Sequence, residues 1–70
     1  MKAYVVCHMC SVRGTPHVQI EVWSTLEKAL EDGKNKAKKV GIAKEAKPGR
    51  WEGVFQGNSN SITVLALPVG

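Results

Sequence analysis

The chain has 70 residues, a formal net charge of +4, and 43% hydrophobic residues against 23% charged ones. This length allows one small domain, and the apolar share excludes an intrinsically disordered chain. No apolar run approaches the roughly 20 residues of a membrane-spanning helix, and no signal peptide is recognisable. The sequence therefore predicts a cytoplasmic protein with reduced cysteines and no membrane partner.

The first two segments predict a β-hairpin. Residues 2–10 are rich in Tyr and Val, and residues 17–23 alternate apolar and polar side chains with the period of a half-buried strand. Glycine and proline within residues 11–16 predict the turn that joins them. One face of this hairpin is expected to be buried, and it consists of Val5, Cys7, Val18, Ile20 and Val22.

Residues 25–40 predict an amphipathic helix. Ser24 and Glu27 have the spacing of a capping box, in which the serine hydroxyl accepts a hydrogen bond from the Glu27 amide. Small and apolar residues then recur at helical spacing, with acids early and lysines late, as the helix dipole favours. Gly33 lies within this apolar stripe, so the helix is expected to approach the sheet closely there. Gly41 is expected to end the helix as its C′ residue.

Two further strands are predicted at residues 50–56 and 61–67, with a hairpin turn of about four residues at 57–60. The order ββαββ predicts an α+β domain, in which one helix covers one face of a four-stranded antiparallel sheet. The last strand is apolar on both of its faces, yet a single helix covers only one of them. The other face therefore needs a cover, for which a second copy of the chain and a different partner protein are the two candidates.

Positive charge is concentrated in the second half of the helix and the loop that follows. Between Lys34 and Arg50 there are seven basic residues and one acid, Glu45. One interpretation is a solvated helix end that complements the dipole. The alternative is a phosphate-binding patch on a nucleic-acid-binding domain. Aromatic residues for base stacking are nearly absent from this stretch. The candidate patch consists of Lys34, Lys38, Lys39, Lys44, Lys47 and Arg50.

The two cysteines form a CxxC pair with histidines nearby, which is the donor chemistry of a structural zinc site. In a strand, however, residues three apart project to opposite faces, and no second ligand pair follows to complete four ligands. The sequence thus favours two free thiols and no cofactor, and a small zinc-stabilised module is the alternative. Its ligands would be Cys7, His8, Cys10 and His17. No catalytic constellation is visible, so an enzyme is not predicted.

The layout resembles that of small proteins encoded by bacteriophages. The resemblance rests on the strand order, on the helix opening Val22-Trp23-Ser24-Thr25-Leu26-Glu27-Lys28-Ala29, and on a Trp-containing hairpin that ends in Ile62-Thr63-Val64. It implies a non-catalytic accessory or inhibitory factor that binds a host or defence protein in the host cytoplasm, as anti-CRISPR proteins do. From the expected hairpin orientation and the apolar last strand, the predicted protein interface consists of Tyr4, Val6, His8, Trp23, Leu65 and Leu67.

Overall fold

The computed structural model of the protein describes residues 2–55 and 57–69. Its elements follow the predicted ββαββ order, so the α+β fold is confirmed. The strands form one antiparallel sheet with the spatial order β2-β1-β4-β3, so that the first and last strands are central. The bounds of the elements are β1 Lys2–Val12, β2 Thr15–Trp23, α1 Leu26–Lys39, β3 Arg50–Phe55 and β4 Asn58–Pro68.

Strands β1, β2 and β4 are longer than predicted and include residues that were predicted as turns. Arg13 and Gly14 form the first turn with φ angles of 51° and 81°, a two-residue connection whose twist suits a β-hairpin. In the second hairpin Phe55 pairs with Asn58, so the four-residue turn predicted at 57–60 is wrong. Serines and asparagines that favour turns in isolation are held here in ladders with strands on both sides. The predicted end of the third strand, Gln56, lies outside the described residues.

The helix begins one residue later than the capping box predicts. Thr25 is the N-cap, with extended backbone, and its Oγ1 accepts from the Lys28 amide at 3.4 Å. Either neighbouring hydroxyl can cap a helix, so the spacing alone could not choose between them. At the other end Gly41 has a φ of 85°, and the Ile42 amide donates to the Ala37 carbonyl at 2.8 Å. This is the predicted C′ glycine, in a Schellman motif.

The core lies between α1 and the sheet and is small. Among the described residues, five hydrophobic side chains are fully buried: Val6, Ala29, Ala37, Trp51 and Ile62. Gly33 faces the Trp51 ring so closely that an added Cβ atom would lie 2.8 Å from Trp51 Cζ3. The predicted close approach at Gly33 is therefore confirmed. Because so few large side chains are buried, this contact between Gly33 and Trp51 is central to the core.

The predicted orientation of the first hairpin is wrong. Val6 is completely buried beneath the helix, and Tyr4 and Trp23 pack against the core beside it. The residues that were expected to be buried lie on the opposite side of the sheet, where Ile20 is 62% exposed. A period of two tells which residues share a face, but both faces of this hairpin carry apolar side chains, so the pattern does not say which face the helix covers.

Lys36 joins the helix to the edge strand β2. Its Nζ lies 2.8 Å from Glu21 Oε1 and 3.0 Å from the Asp32 carboxylate, and Trp23 Nε1 donates to Asp32 at 3.2 Å. Burial alone would lower the pKa of Lys36, but hydrogen bonds and charge from Glu21 and Asp32 outweigh it and raise that pKa above the ordinary lysine value. Charged Lys36 is therefore the form that the folded state favours.

Lys36→Met is expected to reduce the free energy of unfolding by about 1 kcal/mol near pH 8, since the ion pairs are only partly buried. Because the folded-state pKa is raised, this stabilisation is complete below the ordinary lysine pKa of 10.5 and disappears as pH rises through the higher folded value. Urea titrations at pH 8 and above pH 11 measure the difference between wild type and variant. A difference that stays constant across this range would contradict the assignment.

Candidate protein-binding face

The side of the sheet turned away from α1 carries a continuous apolar surface, called here the open face. The strand register places alternate residues of all four strands on it, with Val5 opposite both Val22 and Leu65. The open face consists of Ala3, Val5, Cys7, Met9 and Ser11 from β1, Pro16, Val18, Ile20 and Val22 from β2, Arg50, Glu52 and Val54 from β3, and Ser59, Ser61, Thr63, Leu65 and Leu67 from β4.

Large hydrophobic side chains on the open face are strongly exposed. Seven of them are between 47% and 73% exposed: Met9, Val18, Ile20, Val22, Val54, Leu65 and Leu67. Single exposed hydrophobic residues are common on protein surfaces, but a contiguous set on one face of a sheet is typical of an interaction site. The serines and Thr63 of the open face lie near β3 and the hairpin turns. The apolar part of the open face therefore consists mainly of β1, β2 and the second half of β4.

Charge on the open face is balanced within the face itself. Arg50 and Glu52 are its charged residues, and Arg50 Nε donates to Glu52 Oε1 at 3.2 Å. Arg50 Nη1 also reaches Thr63 Oγ1 at 3.4 Å. The face therefore presents no net charge to a partner, and its binding energy would have to come from apolar contact.

A shallow concavity of about 540 Å³ lies at the end of the open face nearest the hairpin turns. It is bounded by Met9 and Val18 on one side and by Val54 and Glu52 on the other, with Ser61 between them. Met9, Val18 and Val54 make its sides largely apolar, so it would accept a protruding apolar side chain of a partner.

The predicted interface residues divide between the two faces. Leu65 and Leu67 lie on the open face and are each 47% exposed. The other four, Tyr4, Val6, His8 and Trp23, lie on the side that the helix covers. There, His8 Nε2 lies 3.2 Å from Asn60 Oδ1. The placement of those four on an uncovered face is therefore wrong, because the hairpin is turned over relative to the expectation.

Five residues of the open face were assigned to the core by sequence reasoning: Val5, Cys7, Val18, Ile20 and Val22. Val18, Ile20 and Val22 were recognised as one face of β2, and that grouping is correct. The available signal was Trp23, because a large aromatic next to the helix start indicates which face of β2 meets the helix.

The basic candidate residues also separate. Lys34, Lys38 and Lys39 are exposed on α1, and Lys44 and Lys47 are exposed in the following loop. None of these five takes part in an ion pair among the described residues. Arg50 is on the open face, across the sheet from the helix, so it does not belong to a patch with the lysines.

The structure does not gather the four candidate zinc ligands. Cys7 lies on the open face, whereas His8, Cys10 and His17 lie on the helix side of the sheet, with Cys10 opposite His17. Both cysteines are free thiols. Within the described part of the chain, no three His, Cys, Asp or Glu side chains are grouped so that they could hold a metal ion. The four-ligand set is therefore wrong, for the reason that residues 7 and 10 of a strand point to opposite faces.

Comparisons of the chain with protein-family models, with curated proteins and with solved structures gave no match. In residues 2–55 and 57–69, no helix combines the length and apolar character that a bilayer crossing requires.

Proposed function

We propose that this protein is a non-catalytic interaction protein, and that it works by binding another protein through the open face. The observation that carries the proposal is the set of seven large hydrophobic side chains, each about half or more exposed, on one side of one sheet. Such a surface costs free energy in water and is stabilised when a complementary apolar surface covers it.

The small core adds to this argument. A 70-residue domain rarely obtains more than about 3–5 kcal/mol from one hydrophobic core, and here the fully buried hydrophobic side chains of the described residues number five. Two of these five are alanines, which contribute little apolar area. Burial of the open face would add apolar contact that the isolated chain lacks.

The class of partner follows from the resemblance to phage-encoded proteins, which implies a host or defence protein in the host cytoplasm and an accessory or inhibitory role. Two features agree with binding by apolar contact: the open face has no net charge, and it spans strands up to 11 residues long. A phage-type inhibitor of this size would act by occupying a surface of its target.

A photo-crosslinking amino acid at position 22 tests the proposal in cells that produce the chain naturally. We expect a defined protein adduct from position 22, which is on the open face, and none from position 35, an exposed position of α1. A second substitution, Leu65→Glu, should remove the adduct because it places a charge in the middle of the apolar contact. Equal crosslinking from positions 22 and 35, or none from position 22, would contradict the proposal.

A second candidate function is nucleic-acid binding, and it is favoured by the five exposed lysines of α1 and its following loop. Lysines that neutralise phosphates release counterions, so this affinity would fall steeply with salt. The double variant Lys38→Glu and Lys39→Glu should abolish binding to a short duplex DNA at low salt, while Arg50→Glu on the other side of the sheet should leave it unchanged. Retained binding in the lysine variant would exclude this function.

A further inference from the structure

We infer that the protein seated on the open face is a second copy of this chain, which forms a sandwich of two sheets with the helices outside. This inference rests on the proposed function, since it requires the open face to be a docking surface. It names a second copy of the chain, in place of a host or defence protein, as the occupant of the open face.

The first argument is area. The chain exposes 5089 Å². A compact monomer of 7.6 kDa is expected to expose about 4,300 Å², so this chain has a surplus of roughly 800 Å². A specific interface of standard size buries about 800 Å² on each partner. The surplus therefore equals what one copy would contribute to a stable dimer.

The seven large hydrophobic side chains of the open face, each between 47% and 73% exposed, are the apolar surface that such an interface would bury. The molecule measures 39 × 23 × 16 Å, which is a slab of two layers with α1 on one broad side. Apposition of two slabs by their uncovered broad sides would give four layers, and each sheet would then be covered on both faces.

The second argument is charge. The net charge of +4 would oppose self-association if it lay on the docking surface. Instead, the lysines of α1 and its loop belong to the helix side, and on the open face Arg50 and Glu52 neutralise each other. A copy of the chain thus meets an apolar, neutral surface like its own. An acidic or a basic partner would gain no electrostatic attraction there.

The third argument is symmetry. A two-fold interface brings the same patch of both subunits together, so it needs a patch that is complementary to itself. The apolar centre of the open face meets this condition, because Val5, Cys7 and Met9 of the central strand β1 are flanked by Val18, Ile20 and Val22 of β2. Sheets that pack face to face lie about 10 Å apart and interdigitate such side chains. Serines, Arg50 and Glu52 would fall toward the polar rim.

Sedimentation equilibrium of the purified chain from 1 µM to 1 mM, about the range in which small dimers associate, tests the inference. We expect the mass to reach twice 7.6 kDa. Ile20→Glu should weaken association at least about 100-fold, because the dimer would bury two unpaired carboxylates. Asn35→Glu makes the same change of charge on an exposed position of α1 and should leave association unchanged. Circular dichroism establishes that both variants are folded, and Val22→Glu replaces Ile20→Glu if the latter is not.

The outcomes separate this inference from the proposed function. If the measured mass is that of one chain at every concentration, the inference is overturned. The proposed function then stands if position 22 crosslinks to a different protein, and it fails if position 22 crosslinks to none. A two-chain mass that Ile20→Glu leaves unchanged also overturns the inference, since the copies would then meet at another surface such as the β2 edge. A two-chain mass that Ile20→Glu abolishes and Asn35→Glu preserves supports it.

Discussion

Val6→Asp is expected to abolish the folded state, whereas Val22→Asp is expected to preserve it. Val6 is completely buried beneath α1, and an uncompensated charge there costs several kcal/mol. A domain of this size has only about 3–5 kcal/mol of stability to lose. Far-ultraviolet circular dichroism and urea titration measure the result, for which we expect a cooperative transition in Val22→Asp and none in Val6→Asp.

The comparison of these two valines tests the orientation of the hairpin directly. They are the same residue type, both in strands, but Val22 is 66% exposed on the open face. The orientation expected from the sequence would give the reverse result, with Val22→Asp unfolded. A cooperative, native-like transition in Val6→Asp would show that the helix does not cover this side of the sheet.

Gly33→Val is expected to lower the free energy of unfolding by about 3 kcal/mol. The first added carbon alone would lie 2.8 Å from Trp51 Cζ3 and 3.3 Å from Val64 Cγ2, and Trp51 is only 2% exposed and has little room to move. Gly33→Ala should cost about 1 kcal/mol, because the gain in helix propensity of about 1 kcal/mol offsets part of the clash. Urea titration of the three proteins measures this series.

A compensating change and a surface control make the Gly33 prediction specific. Trp51→Phe removes the part of the ring that the methyl group added by Gly33→Ala would meet, so the double variant should be more stable than the sum of the two single changes implies. Asn35→Ala changes helix propensity at an exposed position of α1 and should be neutral or slightly stabilising. Additive effects in the double variant would mean that Gly33 and Trp51 do not share a tight contact.

The features that the sequence predicted well are those set by local chemistry. The helical period, the glycine at position 41 and the small residue at position 33 each impose a local geometry, and the structure contains all three. The order of strands and helix followed from the change between the two-residue period of a strand and the 3.6-residue period of a helix, and the α+β fold followed from that order. The N-cap was displaced by one residue because Ser24 and Thr25 are both competent caps.

The features that the sequence predicted poorly depend on contacts between distant segments. The choice of the covered face is made when α1 meets Trp51 and Ile62, which follow the first hairpin by about 30 residues or more along the chain. The second turn was misplaced for a similar reason, since Ser59 and Asn60 are held by ladder pairs with β1 as well as β3. The candidate interface inherited the first error, so its β1 and β2 residues were placed on the wrong face.

The pairing of β1 with β4 has a consequence for biosynthesis. These strands are joined from Lys2–Pro68 to Ser11–Ser59, so the middle of the sheet closes only when the last strand of the order is present. On the ribosome, the first hairpin and the helix emerge while one edge of β1 still lacks its pairing strand. Such an unpaired edge is the kind of surface at which nascent chains associate wrongly. Ordering of the whole sheet must therefore wait until residues 58–68 have left the ribosome.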